Sequence, residues 1–211
     1  MSGKKIKIYS TFIRIWHWTQ AFLIFTLIFT GFAVHGSHHL IHFDTAVKVH
    51  NVAGISLVLL AFTMFFYYIT TGEWKQYKLT KMDILAQVRY YTSGILKGEP
   101  HPHQKTEISR LNPLQKITYL NFKVIILPIM GITGTMYLYQ EYFSYLNLPL
   151  FVLDNVATLH TIGAFVLVTF IIVHVYMTTT GHTVFSHIKT MLTGWEEVEE
   201  HPEDQPATSS H

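Results

Sequence analysis

The chain contains no cysteine. Disulfides, thiolate-held iron–sulfur clusters, thioether-attached c-type haem and cysteine nucleophiles are thereby excluded, so any redox cofactor must be held by histidine, methionine or oxygen ligands. Charge is also sparse. Only 13% of the 211 residues are Asp, Glu, Lys or Arg, against 49% hydrophobic. The apolar residues collect in four blocks of transmembrane length, at about 12–34, 49–71, 117–138 and 155–178. These blocks contain no Asp or Glu, and their only charges are Arg14 and Lys123. A transporter or channel with structural histidines is the alternative reading of such a chain, but the missing carboxylates leave it no proton relay or ion pathway.

Four long apolar blocks define an all-α integral membrane protein, a four-transmembrane-helix bundle. The first block is too long for a signal-peptide core and lacks a small-residue cleavage site, so it counts as a span. Lys4, Lys5, Lys7 and Arg14 precede or open the first block with no acid against them, and the 72–116 connection carries eight more Lys or Arg. The first connection has only Lys48, and the stretch Tyr139 to Asp154 has no Lys or Arg at all. By the positive-inside rule both termini and loop 72–116 are cytoplasmic. The expected location is the cytoplasmic (inner) membrane, multi-pass, with lipid as the surrounding partner and no nucleic acid. Residues 1–200 read as a single domain. The acidic stretch after Trp195, EEVEEHPEDQPATSSH, reads as unstructured, with 201–211 as a disordered tail. Within the loop, Lys81 to Gly98 reads as an amphipathic segment on the membrane surface.

What the spans do contain is histidine. In the fourth, LHTIGAFVLVTFIIVHVY (Leu159 to Tyr176), the strongly polar side chains are His160 and His174, fourteen residues apart. On an α-helix that is about four turns, so both imidazoles leave one face roughly 21 Å apart, one near each side of a bilayer. Histidines in hydrocarbon need partners, and haem iron accepts a neutral imidazole as axial ligand. His17 opens the first span near its cytoplasmic end, and His50 opens the second near its outer end. Depth then allows only His17 with His174 and His50 with His160. Two stacked b-type haems, each non-covalently held by two histidines inside the bundle, satisfy all four.

Other residues carry two readings each. Arg14, three residues before His17, is either an interfacial topology charge or a cation for a haem propionate. Gly31, fourteen residues beyond His17, either admits a flat macrocycle or packs helices closely. His35, His38, His39 and His42 cluster in the first connection without the carboxylates or cysteines of a familiar metal site, and read as a polar surface facing a partner or water. Pro128, Gly131 and Gly134 suggest a kink or close packing in the third span.

RIWHW (Arg14 to Trp18), His50, NPLQK (Asn112 to Lys116), HTIGAFVLVTFIIVHVYM (His160 to Met177) and TMLTGWEE (Thr190 to Glu197) together resemble the di-haem cytochrome b subunits of nickel–iron hydrogenases, formate dehydrogenases and thiosulfate reductases. The resemblance implies that the four histidines ligate two b haems, and that the subunit anchors a redox partner and exchanges electrons with menaquinone or ubiquinone near the cytoplasmic-side haem. It also favours a quinone site at Asn112 and Gln115, within NPLQK, with His182 just after the fourth span as a further candidate by position, where GHT (Gly181 to Thr183) departs from the Arg-Glu-Asp-like sequence common in hydrogenase subunits. Amide donors suit a quinone carbonyl, and a histidine can deliver a proton. Against that stand ordinary roles, Asn112 as a helix cap ahead of Pro113 and His182 as an interfacial residue. With no nucleotide-binding glycine motif or second redox motif in this sequence, the expectation is an electron-transfer subunit, not a stand-alone enzyme, served by an exported iron–sulfur or multihaem partner.

Overall fold

A computed structural model describes residues 4–77, 88–99, 113–141, 145, 150–180 and 183–198. A short strand β1 (Lys4–Lys7) leads into α1 (Thr11–Val34), and α2 follows at Phe43–Thr71. The third helix, α3, runs through Pro113–Asn121, a π-helical turn at Phe122–Ile126, and Leu127–Leu138. Then come α4 (Leu150–Thr178), α5 (Ser186–Thr193) and strand β2 (Trp195–Val198). The first four helices are long and apolar enough to cross a membrane, with spans at Thr11–Val34, Phe43–Thr71, Gln115–Leu138 and Val152–Thr178.

Several boundaries have a local cause. Ser10, with extended backbone, caps α1 by accepting a hydrogen bond from the Ile13 amide at 3.3 Å. Helix α2 starts six residues before the expected 49, because His42 is extended at its N-cap and Asp44 lies in the first turn, where a carboxylate complements the helix dipole. It stops at Gly72, whose φ of 72° suits a residue without a Cβ. Pro113 begins α3, where its missing amide is harmless. Helix α4 likewise begins at Leu150, ahead of the expected 155.

Pro128 does disturb α3, as expected, and the form of the disturbance is the π turn just before it. Proline supplies no N–H and crowds the carbonyl four residues back, that of Val124, which falls inside Phe122–Ile126.

The helices form two tight hairpins, α1 with α2 and α3 with α4, which approach each other less closely. Small residues permit the tight packing: a Cβ on Gly163 would come within 2.5 Å of Met130 Sδ. Between the hairpins, at mid-depth, Ile24, Leu57, Phe122 and Leu167 form the core, with Leu27, Ile126 and Phe170 around them. Large apolar side chains on the outer faces are exposed, among them Phe22 at 70% and Ile172 at 65%, as helices apolar all round require in lipid.

At one end the two terminal segments are clasped together. Strand β1 pairs antiparallel with β2, Lys5 opposite Glu197 and Ile6 opposite Glu196. This corrects the reading of the stretch after Trp195 as wholly unstructured: Glu196 to Val198 are strand, because lysine-rich and glutamate-rich edges are complementary across the pair. Below, this end of the bundle is the terminal end and the opposite one, carrying the 35–42 connection, the loop end. Of the amphipathic segment Lys81 to Gly98, the first half lies outside the described residues; Tyr90–Gly94 forms a π turn and Ile95–Lys97 a short helical turn.

Candidate functional site

The four histidines meet in two pairs between the hairpins. His17 (α1) and His174 (α4) have ring centres 6.2 Å apart near the terminal end, and His50 (α2) and His160 (α4) have ring centres 6.3 Å apart near the loop end. Two imidazoles bound through one nitrogen each to a single iron, at about 2 Å per bond and about 1.2 Å from that nitrogen to the ring centre, have centres about 6.4 Å apart. Both observed separations match that value. The core residues Ile24, Leu57 and Leu167 each sit seven positions from a histidine in their helix, so the apolar layer divides the two pairs.

The loop-end pair is held by threonines. Thr30 Oγ1 lies 2.9 Å from His50 Nδ1, and Thr133 Oγ1 lies 2.9 Å from His160 Nδ1. Each hydroxyl also donates its one hydrogen back along its own helix, Thr30 to Thr26 O at 2.7 Å and Thr133 to Ile129 O at 2.6 Å. Toward the histidine the hydroxyl oxygen therefore accepts. Nδ1 carries the proton in both rings, and Nε2 keeps its lone pair for a metal. Beside each threonine is a glycine facing the same ring: a Cβ on Gly31 would lie 3.5 Å from His50 Cε1, and one on Gly134 3.2 Å from His160 Cε1. Of the two roles open to Gly31, the structure supports making room, and the group accommodated is the imidazole.

The terminal-end pair is dressed differently. His17 Nδ1 is buried with no hydrogen-bond partner among the described residues, and its ring meets Trp18 edge-on. His174 stacks on Phe170 with an interplanar angle of 15°, and its Nδ1 has the Tyr119 hydroxyl at 3.4 Å.

Arg14 lies one turn from His17 toward the terminal end. Its Nη1 donates to Leu192 O at 2.8 Å, tying α1 to α5, while its buried Nε has no partner among the described residues. Gln115 sits one turn before Tyr119 on the same side of α3, which places it toward the His174 end. Asn112 and His182 lie outside the described residues. The His35 to His42 cluster does not converge: among the described residues no three His, Asp or Glu are grouped to hold a metal, and His38 folds back to donate to Phe29 O at 2.9 Å.

The sequence reading missed a second polar group. The Lys123 ammonium, carried on the π turn, donates to the hydroxyls of Tyr68 at 2.6 Å and Tyr77, which lie 3.0 Å from each other. Burial pushes the Tyr77 phenol above its ordinary value, which keeps it neutral. It also missed Thr30 and Thr133, although a signal was present, since Thr-Gly occurs once in the first span and once in the third.

A model of the prokaryotic cytochrome b561 family matches residues 8–194. The chain belongs to that family. It is also similar to the "Putative cytochrome YdhU" of Escherichia coli (strain K12), at 32% identity over 204 residues, which covers 92% of this chain and 75% of that protein. A cytochrome b561 is a multi-pass membrane electron-transfer protein, and its family implies a b-type haem. The residues present fit such a group. Imidazole pairs at iron-spanning separation, glycines opposite the loop-end rings, and a loosely packed seam between the hairpins are what a bis-histidine b haem needs in this cytochrome.

Proposed function

We propose that this cytochrome b561 is a di-haem subunit that carries electrons across the cytoplasmic membrane between an exported redox partner and the quinone pool, and anchors that partner. The single observation that supports it best is the repeat of one ring-to-ring separation, 6.2 and 6.3 Å, at two depths of the same bundle. His17 with His174 would hold one haem and His50 with His160 the other. Bound haem supplies reversible one-electron chemistry. The chain's own part is to present Nε2 of four neutral imidazoles, to hold the loop-end rings through Thr30 and Thr133, and to keep water from the mid-depth seam with Ile24, Leu57 and Leu167.

The basic run Lys4, Lys5, Lys7 and Arg14 at this end, set against a Tyr139 to Asp154 connection without Lys or Arg at the other, supports a cytoplasmic terminal end, which makes the His17–His174 pair the inner one. Arg14 Nε, buried beside His17 without a partner among the described residues, suits an inner haem propionate. Quinone would bind at the same end, near Asn112, Gln115 and His182, where ring oxygens can meet amide and imidazole groups within reach of water. The exported partner, an iron–sulfur or multihaem protein, would dock at the loop end beside His35 to His42.

The test is the reduced-minus-oxidised visible spectrum of purified protein together with haem per chain. The reading expects a low-spin b-type spectrum at two haems per chain. One haem per chain, or a high-spin spectrum, contradicts it.

A further inference from the structure

The two histidine pairs differ in what holds the nitrogen that faces away from the metal. At the loop end both Nδ1 atoms reach a threonine oxygen at 2.9 Å, and both threonines are buried, Thr30 at 1% and Thr133 at 3% exposure. At the terminal end His17 Nδ1 has no partner among the described residues, and the His174 contact of 3.4 Å to Tyr119 is long for a hydrogen bond.

We propose that Thr30 and Thr133 are positioning residues which, by accepting Nδ1–H from His50 and His160, lower the reduction potential of the loop-end haem below that of the terminal-end haem. This rests on the two-haem reading. An acceptor at Nδ1–H draws the proton away from the ring and makes its other nitrogen a stronger donor, and a stronger donor stabilises the more positive, oxidised iron. Both axial ligands at the loop end receive this, and the buried site strengthens it.

A second observation points the same way. Lys116, 5% exposed, stands three residues before Tyr119, which touches His174, and Arg14 lies one turn from His17. Cations close to the terminal-end pair favour the reduced, less positive iron there. At the loop end the basic side chain near His50, Lys48, is exposed and screened. With that order of potentials, transfer from the loop end to the terminal end would be the downhill direction.

The experiment is an equilibrium redox titration of the detergent-purified protein, followed optically, with the loop-end haem assigned as the signal lost in His50→Ala. In the wild type that signal should titrate at the lower potential. Thr30→Val and Thr133→Val, which keep side-chain shape and remove the acceptor, should each move it to higher potential, the double variant further, and leave the other haem unmoved. Thr30→Ser and Thr133→Ser should behave as wild type. If the valine variants lose the loop-end haem while the serine variants keep it, the hydroxyl's positioning role is supported by occupancy. Two haems present with an unmoved loop-end midpoint in the double valine variant overturns this inference alone, as do serine variants that shift or lose that haem as much as valine. A wild type without two haems overturns the two-haem reading and this with it.

Discussion

A Cβ added to Gly134 would stand 3.2 Å from Cε1 of His160, whereas the matching Cβ on Gly31 would clear His50 by 3.5 Å. A Cβ at 134 would therefore press on the loop-end imidazole, which must shift by a few tenths of an ångström to admit it, whereas a Cβ at 31 would be in ordinary contact. Gly134→Ala should reduce occupancy of the loop-end haem through overpacking of about 1–3 kcal/mol, and Gly31→Ala should do so less. Haem per chain checks this, and the account fails if alanine at 31 is the more damaging.

The Lys123 cluster predicts an asymmetry in stability. Changing Tyr68 and Tyr77 together to Phe leaves an ammonium between apolar rings with its two acceptors gone, at a cost of about 3 kcal/mol. Lys123→Met removes the charge and leaves the phenols bonded to each other, so it should fall within about 1 kcal/mol of wild type. Thermal unfolding in detergent measures both. A more damaging Lys123→Met would mean that the ammonium has a partner beyond the two phenols.

The clasp at the terminal end turns on Gly194. Its φ is 87°, its carbonyl accepts from the Ile8 and Tyr9 amides at 2.8 and 3.2 Å, and a Cβ there would stand 2.7 Å from Tyr9 O. Gly194→Ala should cost about 1–3 kcal/mol locally and raise hydrogen exchange at Ile8 and Tyr9 without affecting the spans. Unchanged exchange at those amides would show that the strand pairing does not depend on this turn.

The quinone site can be probed with both haems in place. Exchanging Asn112, Gln115 and His182 singly for apolar residues should lower quinone-linked turnover in at least one variant while haem content holds. Wild-type turnover in all three moves the site to another part of the bundle.

The four spans and the four histidines were legible in the sequence because both signals are periodic: apolar runs of bilayer length, and imidazoles whose depth follows from helical rise. Helix ends were legible only roughly, since α2 and α4 begin at Phe43 and Leu150, ahead of Asp44 and Asp154, which break the apolar runs. The role of Thr30 and Thr133 was hidden because a membrane threonine ordinarily bonds back to its own helix, and both do. Their second contact depends on a histidine 20 or 27 residues away in the chain. The Lys123 site was hidden for a related reason. It depends on the π turn ahead of Pro128 and on a tyrosine, Tyr77, that lies past the end of α2. The β1–β2 pair is four residues long on each side, too short to announce itself by alternation.

The pairing of His17 with His174 and of His50 with His160 is tested most directly by the haem spectrum of four single His→Ala variants. His17→Ala and His174→Ala should each retain one haem with the same spectrum, and His50→Ala and His160→Ala should each retain the other. Loss of the same haem from His17→Ala and His160→Ala would contradict the pairing.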